Sequence, residues 1–481
     1  MITVFKYIQT HSDTTSSEMN RKTASTSGMP SQLHGTGQIV KSSICNGIPT
    51  YRINDMPFSS SNCLTYLMQR KSFEIPKALV WASYQNVRRN RGAPGCDGQT
   101  LKMFDQQRDR NLYRIWNRLC SGTWFPPPVL EKRIPKSNGK ERILGIPTVS
   151  DRIAQEAIKR FMEERLDPIF HADSYGYRPG KSAHDALKQC ATRCWRYSWV
   201  LEVDISAFFD HVRHDLVLRA LEHHGMPKWV LLYCRRWMEA PMQSYENGEL
   251  IHRTRGTPQG GISPLLANLF LHYAFDLWME REYRGGAFER YADDIVVHCS
   301  RMSDATRLKS RLSERFLDVG LTLNAGKTNI AYIDTFKRRN VATSFTFLGY
   351  DFKVRTLKNF KGELYRKCMP GASNTAMSKI TETIKKWRIH RSTVESLLDF
   401  ARRYNAIVRG WIEYYGKFWY RNFSYCLWSA MQSRLLKWMQ AKYRLSNRKA
   451  QRKLTLVKKQ YPRLFAHWYL LRASNEWSRA V

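Results

Sequence analysis

The ten residues RYADDIVVHC (290–299) constrain this chain more than any other stretch. Asp293 and Asp294 stand side by side between two runs that read as β-strands. Each carboxylate raises the cost of ionising its neighbour unless a cation lies between them. An isolated Asp pair is ordinarily a solvated hairpin turn, because Asp is at home in turns. A third acid changes the reading. The run WVLEVDI (199–205) is a strand that ends at Asp204, and ISAFFD after it reads as a turn.

One strand-end Asp plus a hairpin pair is what two Mg²⁺ ions require, with Mn²⁺ able to substitute. Hard cations prefer carboxylate oxygens, keep several waters and bridge to substrate phosphates. Two of them a few ångströms apart stabilise the attacking and leaving oxygens of an in-line phosphoryl displacement. The expectation is that Asp204 approaches the hairpin of Asp293 and Asp294.

The charge points to the same substrate class. The 481 residues hold 78 Lys and Arg against 41 Asp and Glu, a formal net charge of +37. An excess of that size predicts salt-sensitive attraction to a polyanion, nucleic acid before a membrane surface. Ten Cys are scattered without a C-x-x-C pair. Cys190 and Cys194 lie four apart on a predicted helix with no matching pair nearby, which argues against zinc. Free thiols without a signal peptide indicate a reducing, cytoplasmic compartment, and no 18-residue apolar run is present to span a membrane.

Texture divides the chain in three. Residues 1–62, rich in Ser, Thr, Asn and Gly, read as a poorly ordered extension. Residues 63–374 are mixed. Helices surround the Gly/Pro turn RRNRGAPGCDGQT (88–100), and two short strands are joined by a basic turn (125–148). A helix then runs from cap Ser150 to stop Pro168, and another ends at Gly225. MQSYENGELIHRT (242–254) reads as a hairpin on a two-residue Asn247-Gly248 turn. One helix is expected over 263–282 with Ser263 as N-cap and Pro264 in the first turn. A helix near 302–319 and a strand over 344–354 complete this part. Residues 375–481 read as helices only, with 23 Lys and Arg against 5 Asp and Glu, a net +18.

Further segments appear in a recognisable order. They are IPKSNGKERILGIPTVSDRIAQ (134–155), SYGYRPGKSAHDAL (174–187), VDISAFFD (203–210), RGTPQGGISPLLANLFL (255–271), YADD (291–294), GLTLNAGKT (320–328) and FLGYDF (347–352). Together they resemble the bacterial group II intron-encoded reverse transcriptases, or maturases. RGWIEYYGKF (409–418) and PRLFAHW (462–468) are similar to that family's C-terminal maturase region. The resemblance covers residues 63 to about 470.

It implies an α+β right-hand polymerase, with fingers and palm over 63–374 and an all-α basic thumb/maturase domain over 375–481. It implies an RNA-directed DNA polymerase that binds its group II intron RNA and assists splicing and mobility. The partners would be intron RNA, an RNA template with DNA primer, dNTPs and target DNA. The metal ligands become Asp204, Asp293 and Asp294 with the Ile205 carbonyl. Lys136 and Arg142 resemble the pair that grips the incoming triphosphate, which suits their charge and fork chemistry. Phe209 takes the place of the aromatic gate against a ribonucleotide 2′-OH. Gln259 falls near the nucleotide's sugar and the template, and Lys327 near the leaving pyrophosphate. Arg178 and Lys181 are assigned to template backbone and FLGYDF with Gly349 to the primer grip. Independently of the resemblance, Trp411, Tyr414, Tyr415 and Trp419 in the basic helical part either meet unstacked RNA bases or pack the helices together, and at least half of them are expected to pack.

Two features depart from many members of that family. The chain shows no His-Asn-His cluster with paired Cys after FAHW, so self-contained DNA cleavage is not expected, and the Ser/Thr-rich N-terminus is not family-like. Two other functions compete with the polymerase. One is a maturase with a vestigial catalytic centre, against which the three intact Asp residues speak. The other is a domesticated reverse transcriptase in phage defence or repair, which the maturase-like segments disfavour.

Overall fold

The computed structural model describes residues 72–135, 141–258, 261–284, 286–333, 341–359 and 361–470. The expected extension over 1–62, Lys136 and Gln259 lie outside them. Helices α1 (Lys77–Asn90), α2 (Leu101–Gln106) and α3 (Arg108–Cys120) come first, then strands β1 (Val129–Pro135) and β2 (Glu141–Ile146). Next are α4 (Val149–Leu166), α5 (Ala183–Arg193), β3 (Trp199–Asp204), and α6 (Phe208–His211), α7 (His214–His223) and α8 (Lys228–Glu239). Strands β4 (Met242–Gln243) and β5 (Leu250–Ile251) precede α9 (Ser263–Leu271) and α10 (Leu277–Glu282). The hairpin β6 (Ala287–Tyr291) and β7 (Asp294–Cys299) leads to α11 (Met302–Asp318), β8 (Asn329–Tyr332), β9 (Ser344–Phe347), β10 (Tyr350–Lys358) and β11 (Leu364–Ala372). From Asn374 the described chain is helical: α12 (Asn374–Lys386), α13 (Leu397–Tyr415), α14 (Tyr420–Tyr443) and α15 (Asn447–Gln460).

The chain forms two compact units. The first holds the residues up to Arg165 with His214–Ser263, and the second holds Leu166–Arg213 with Pro264 onward. In the first, β2-β1-β4-β5 form one sheet, with β1 and β2 antiparallel and β1 and β4 parallel. One buried carboxylate in this unit is fully satisfied within it. The indoles of Trp124 and Trp237 donate to Asp151 Oδ1 at 3.0 and 2.8 Å, and the Gln155 amide donates to Oδ2 at 2.7 Å. A buried carboxylate is tolerable only when so satisfied. Burial pushes the Asp151 carboxyl up, and these three donors oppose it.

In the second unit the sheet order is β6-β7-β3-β8, all antiparallel. Its two faces differ because side chains alternate along a strand. Val200 and Val296 belong to an apolar cluster with Leu187 and Cys190 of α5 and Phe345, Tyr350 and Phe352 of β9 and β10. The helices after Asn374 enclose two further cores, one around Phe400, Trp438 and Trp468, the other around Ile384, Val408 and Met431.

Four local expectations need correction. The Thr148 hydroxyl, not Ser150, accepts from Asp151 N at 3.1 Å and so caps α4. The Asn247-Gly248 turn is wider than two residues: Ser244 N bonds Glu249 O at 2.9 Å, leaving Tyr245–Gly248 as the loop. The Asn247 side chain accepts from Glu249 N at 3.1 Å, a local bond that competes with the tighter turn. The helix over 263–282 is interrupted by a π turn, His272–Asp276, and the Ser263 hydroxyl donates to Pro258 O at 2.5 Å. The strand over 344–354 is a hairpin, and its second partner β11 was not anticipated. Only the last five residues of β11 lean inward, so its basic outer half hides the alternation.

Candidate active site

The second unit brings the three carboxylates together. In the β3–β7 ladder Asp204 lies directly opposite Asp294, and β6 pairs Tyr291 with Asp294. Directly opposed residues in an antiparallel pair have Cβ atoms about 4.5–5.5 Å apart. Asp293 falls in the two-residue turn between β6 and β7, next to Ala292, whose φ is 56°. Asp294 is exposed while the five residues after it are buried, so the acids sit at the open end of an otherwise covered strand.

Three like charges at one sheet end create a strongly negative spot. Glu202 shares a strand face with Asp204, and its carboxyl is pushed up to about 7, first by burial and then by Asp294 and Asp204. A cation already rests there: Lys327 Nζ is 3.3 Å from Asp204 Oδ1 and 3.4 Å from Oδ2. The donor set is all hard oxygen, as Mg²⁺ prefers. Ile205 is buried and continues β3 by an isolated bridge to Leu323.

What holds the hairpin tip was missing from the sequence reading. Arg290, fully buried on β6, makes paired bonds of 2.7 and 2.6 Å to Asp276, which the π turn presents. Burial alone would raise the Asp276 carboxyl, but Arg290 holds it below its ordinary range. The same guanidinium donates to Asn268 Oδ1 at 2.9 Å and to Ala292 O at 3.4 Å, and Asn268 Nδ2 donates to Gly176 O at 2.7 Å. Gly176 must be glycine for close approach: a Cβ there would lie 2.5 Å from Ala292 N. A chain of buried polar bonds thus braces the turn that carries Asp293. The available signals were an Arg and an Asp inside apolar runs, together with the Gly of SYGYRPG.

The other expected residues divide between free and committed groups. Phe209 is buried beside Phe208, with ring centroids 5.2 Å apart. Arg178 corrects its template assignment. Its guanidinium bonds both oxygens of Asp167 and the carbonyls of Asp167, His171 and Ser174, which uses all five donors inside the fold. Lys181 Nζ donates to Ala172 O at 2.8 Å and lies over the Tyr175 ring.

Gly349 sits with Leu348 in the turn of β9 and β10, with φ of 77° and 50°. That turn is clamped by the helical region, since Tyr414 Oη donates to Leu348 O at 2.9 Å and the Tyr350 hydroxyl donates to Tyr414 O. His184 Nε2 meets the same Tyr414 carbonyl at 2.9 Å. Tyr415 joins the packing, and a Cβ at Gly349 would stand 3.1 Å from its hydroxyl. Trp411 stacks on Trp387, and Trp387 on Tyr404 at 4.0 Å. Trp419 receives Arg355 over its ring at 5.0 Å. Of the two roles open to these aromatics, the fold engages them in packing.

In the first unit the Arg142 backbone pairs with Ile134 across β1 and β2. The Asp151–Gln155 pair also anchors the residue after the PQGG loop, because Gln155 Oε1 accepts from Ile262 N at 3.3 Å.

Comparison with known proteins identifies the family. Residues 134–352 match the family described as reverse transcriptase (RNA-dependent DNA polymerase), and residues 377–456 match the group II intron, maturase-specific domain. The chain is 36% identical to protein YkfC of Escherichia coli over 299 residues, 53% of this chain and 75% of that protein. It is also 36% identical to the group II intron-encoded protein LtrA of Lactococcus lactis over 201 residues, 40% of this chain and 32% of LtrA. A 91 kDa protein in the cob intron of Schizosaccharomyces pombe is 27% identical over 249 residues, 49% of this chain and 30% of that protein. With a reverse transcriptase domain followed by a maturase-specific domain, this chain belongs to the group II intron reverse transcriptase/maturase family.

Proposed function

We propose that the chain is an active RNA-directed DNA polymerase that also binds its group II intron RNA and assists its splicing and mobility. The observation that carries this reading is the register of Asp204 against Asp294, with Asp293 in the adjoining turn. Asp204, Asp293, Asp294 and the Ile205 carbonyl would hold two Mg²⁺ ions, which when bound stabilise the attacking and leaving oxygens of phosphoryl transfer. Lys327, 3.3 Å from Asp204, marks the place where positive charge is wanted and is positioned to meet a departing pyrophosphate. Buried Phe209 sits five residues beyond Asp204 and serves as the sugar gate. Lys136, Arg142 and Gln259 are assigned to the incoming dNTP on the family resemblance alone.

RNA affinity rests on the basic helical region. Residues 375–481 carry a net +18, and phosphate contacts that release counterions make such binding fall steeply with salt. The RNA template, DNA primer and target DNA are bound through the same charge. No described helix is long and apolar enough to cross a membrane; a cytoplasmic ribonucleoprotein is the setting proposed.

The test is primer extension on an RNA template with labelled dNTPs, run beside a splicing assay on the cognate intron. Magnesium-dependent extension by the full chain is expected, with faster splicing. Absence of extension at any Mg²⁺ or Mn²⁺ concentration, with splicing intact, would leave a maturase alone.

A further inference from the structure

The second unit carries another basic surface, outside residues 375–481 and away from the three carboxylates. Strands β10 and β11 pair from Tyr350 opposite Ala372 to Lys358 opposite Leu364. β9 accompanies β10 only as far as Lys353, and β11 is the edge of that sheet. The outer part is therefore a two-stranded ribbon. Such a ribbon is marginal on its own, and local bonds close its turn. Asn359 N donates to Glu363 O at 2.9 Å, and the Asn359 side chain accepts from Glu363 N at 2.8 Å and donates to Glu363 Oε2 at 2.7 Å.

The ribbon's charge is one-sided. Residues 353–367 hold Lys353, Arg355, Lys358, Lys361, Arg366 and Lys367 against one acid, Glu363, the residue that closes the turn. That net +5 is about four times the density of the whole chain, which carries +37 over 481 residues. The register even sets Arg355 directly opposite Lys367, a like-charge pair that destabilises a hairpin. Each is drawn onto an indole instead: Lys367 Nζ lies 3.2 Å from the centre of the Trp195 ring, and the Arg355 guanidinium 5.0 Å from that of Trp419. One face of each neighbouring indole is thereby taken by a cation of the ribbon itself. Lys353, Lys358, Lys361 and Arg366 are exposed, with Tyr365 as the exposed ring among the ribbon's described residues. What the ribbon offers a partner is mainly positive charge at fixed spacing, which is the complement of backbone phosphates.

We infer that the outer β10–β11 ribbon docks on the phosphate backbone of double-helical RNA and is a second anchor for intron RNA beside the helical region. The inference rests on the proposed RNA-binding function and adds a surface to it. Double-helical RNA is recognised by shape and phosphate contacts, whereas single strands are recognised by stacking their bases on rings. A rigid row of cations with few open rings suits the duplex. Position separates this anchor from the polymerase site. Trp195 Nε1 donates to Cys368 O at 2.9 Å and so fixes β11 beside the turn that leads into β3. Asp204 lies at the other end of β3, about 17 Å on at about 3.3 Å per residue.

The test is binding of the full chain to an RNA hairpin of about 20 base pairs, and to a DNA hairpin of the same sequence, over a range of salt. Combined Lys358→Gln, Lys361→Gln and Arg366→Gln should weaken RNA binding about tenfold and lower the slope of log Kd against log salt by about 2. Removing equal charge from exposed positions at α11, by combined Arg301→Gln, Arg307→Gln and Arg311→Gln, should move both far less. Extension of a short primer–template should be retained by the ribbon variant, which also reports an intact palm. Should extension be lost with it, the three single substitutions decide, each expected to lower the slope by about 0.7–0.9. RNA affinity and slope equal to those of the unsubstituted chain overturn the inference and leave the proposed function standing. An equal loss with the α11 set, or a loss confined to the DNA hairpin, overturns it as well. An unsubstituted chain that binds no RNA defeats the proposed function and this inference together.

Discussion

The carboxylate end of the palm sheet and the helices after Asn374 use conspicuous side chains in opposite ways. At the sheet end, Asp204, Asp293 and Asp294 are gathered where the strand emerges from its cover, and buried bonds from Arg290 brace the turn that carries Asp293. In the helices, Trp411, Tyr414 and Tyr415 are folded inward against rings and carbonyls. A carboxylate has no reason to collect beside two others unless a cation is coming. An aromatic ring has every reason to pack, whatever else it does. Clustered like charge is therefore a far stronger sign of chemistry than clustered aromatics.

The largest effect expected concerns the brace. Arg290→Met leaves Asp276 buried with only His272 Nδ1, 3.8 Å away, beside it, and should cost about 3–5 kcal/mol in urea unfolding. Combining it with Asp276→Leu should recover much of that stability, since an apolar pair can replace a buried ion pair. Extension should stay impaired, because Ala292 O and Asn268 lose their donor. A double variant with full activity would show that the network supports the fold and not the tip.

Next is an acid effect confined to the helical side. His467 is buried among Phe465 and Trp468 with neither ring nitrogen paired. Burial and then Lys458 bring its imidazole down to about 3 from 6.5. The fold tolerates only the neutral ring, so this contribution is complete above pH 6.5 and is lost as pH falls toward 3. At pH 5 the loss should be about 2 kcal/mol. Thermal unfolding at pH 5 and 7.5 checks it, and His467→Leu should flatten the difference. A wild-type chain equally stable at both pH values contradicts the assignment.

Smaller again, Trp411→Ala should cost about 1–2 kcal/mol through the lost Trp387 stack. Intron affinity should fall only as far as stability does. Affinity that drops tenfold with an unchanged Tm would return Trp411 to the RNA surface and narrow the contrast drawn above. Phe209→Val is the subtlest case. The ratio of rNTP to dNTP incorporation should rise with dNTP activity retained, and an unchanged ratio makes Phe209 plain core.

These contrasts explain which parts of the molecule were legible beforehand. The three Asp residues could be read because strand alternation and a two-residue turn fix their positions from a few neighbours. The break to a purely helical, basic region near residue 374 was equally plain in composition. Arg178 misled because a basic residue near a Gly turn looks like a phosphate contact, and only the fold reveals Asp167 and three carbonyls around it. The Arg290–Asp276 pair was invisible because Asp276 is presented to Arg290 by a π turn that no periodicity announces.

The most direct test of the central claim is primer extension by Asp294→Asn, with RNA affinity measured on the same preparation. Asn keeps the shape and removes the charge opposite Asp204. Extension is expected below about a hundredth of the unsubstituted rate with RNA binding intact. Extension above about a tenth, an effect of only ~1.4 kcal/mol, would contradict it.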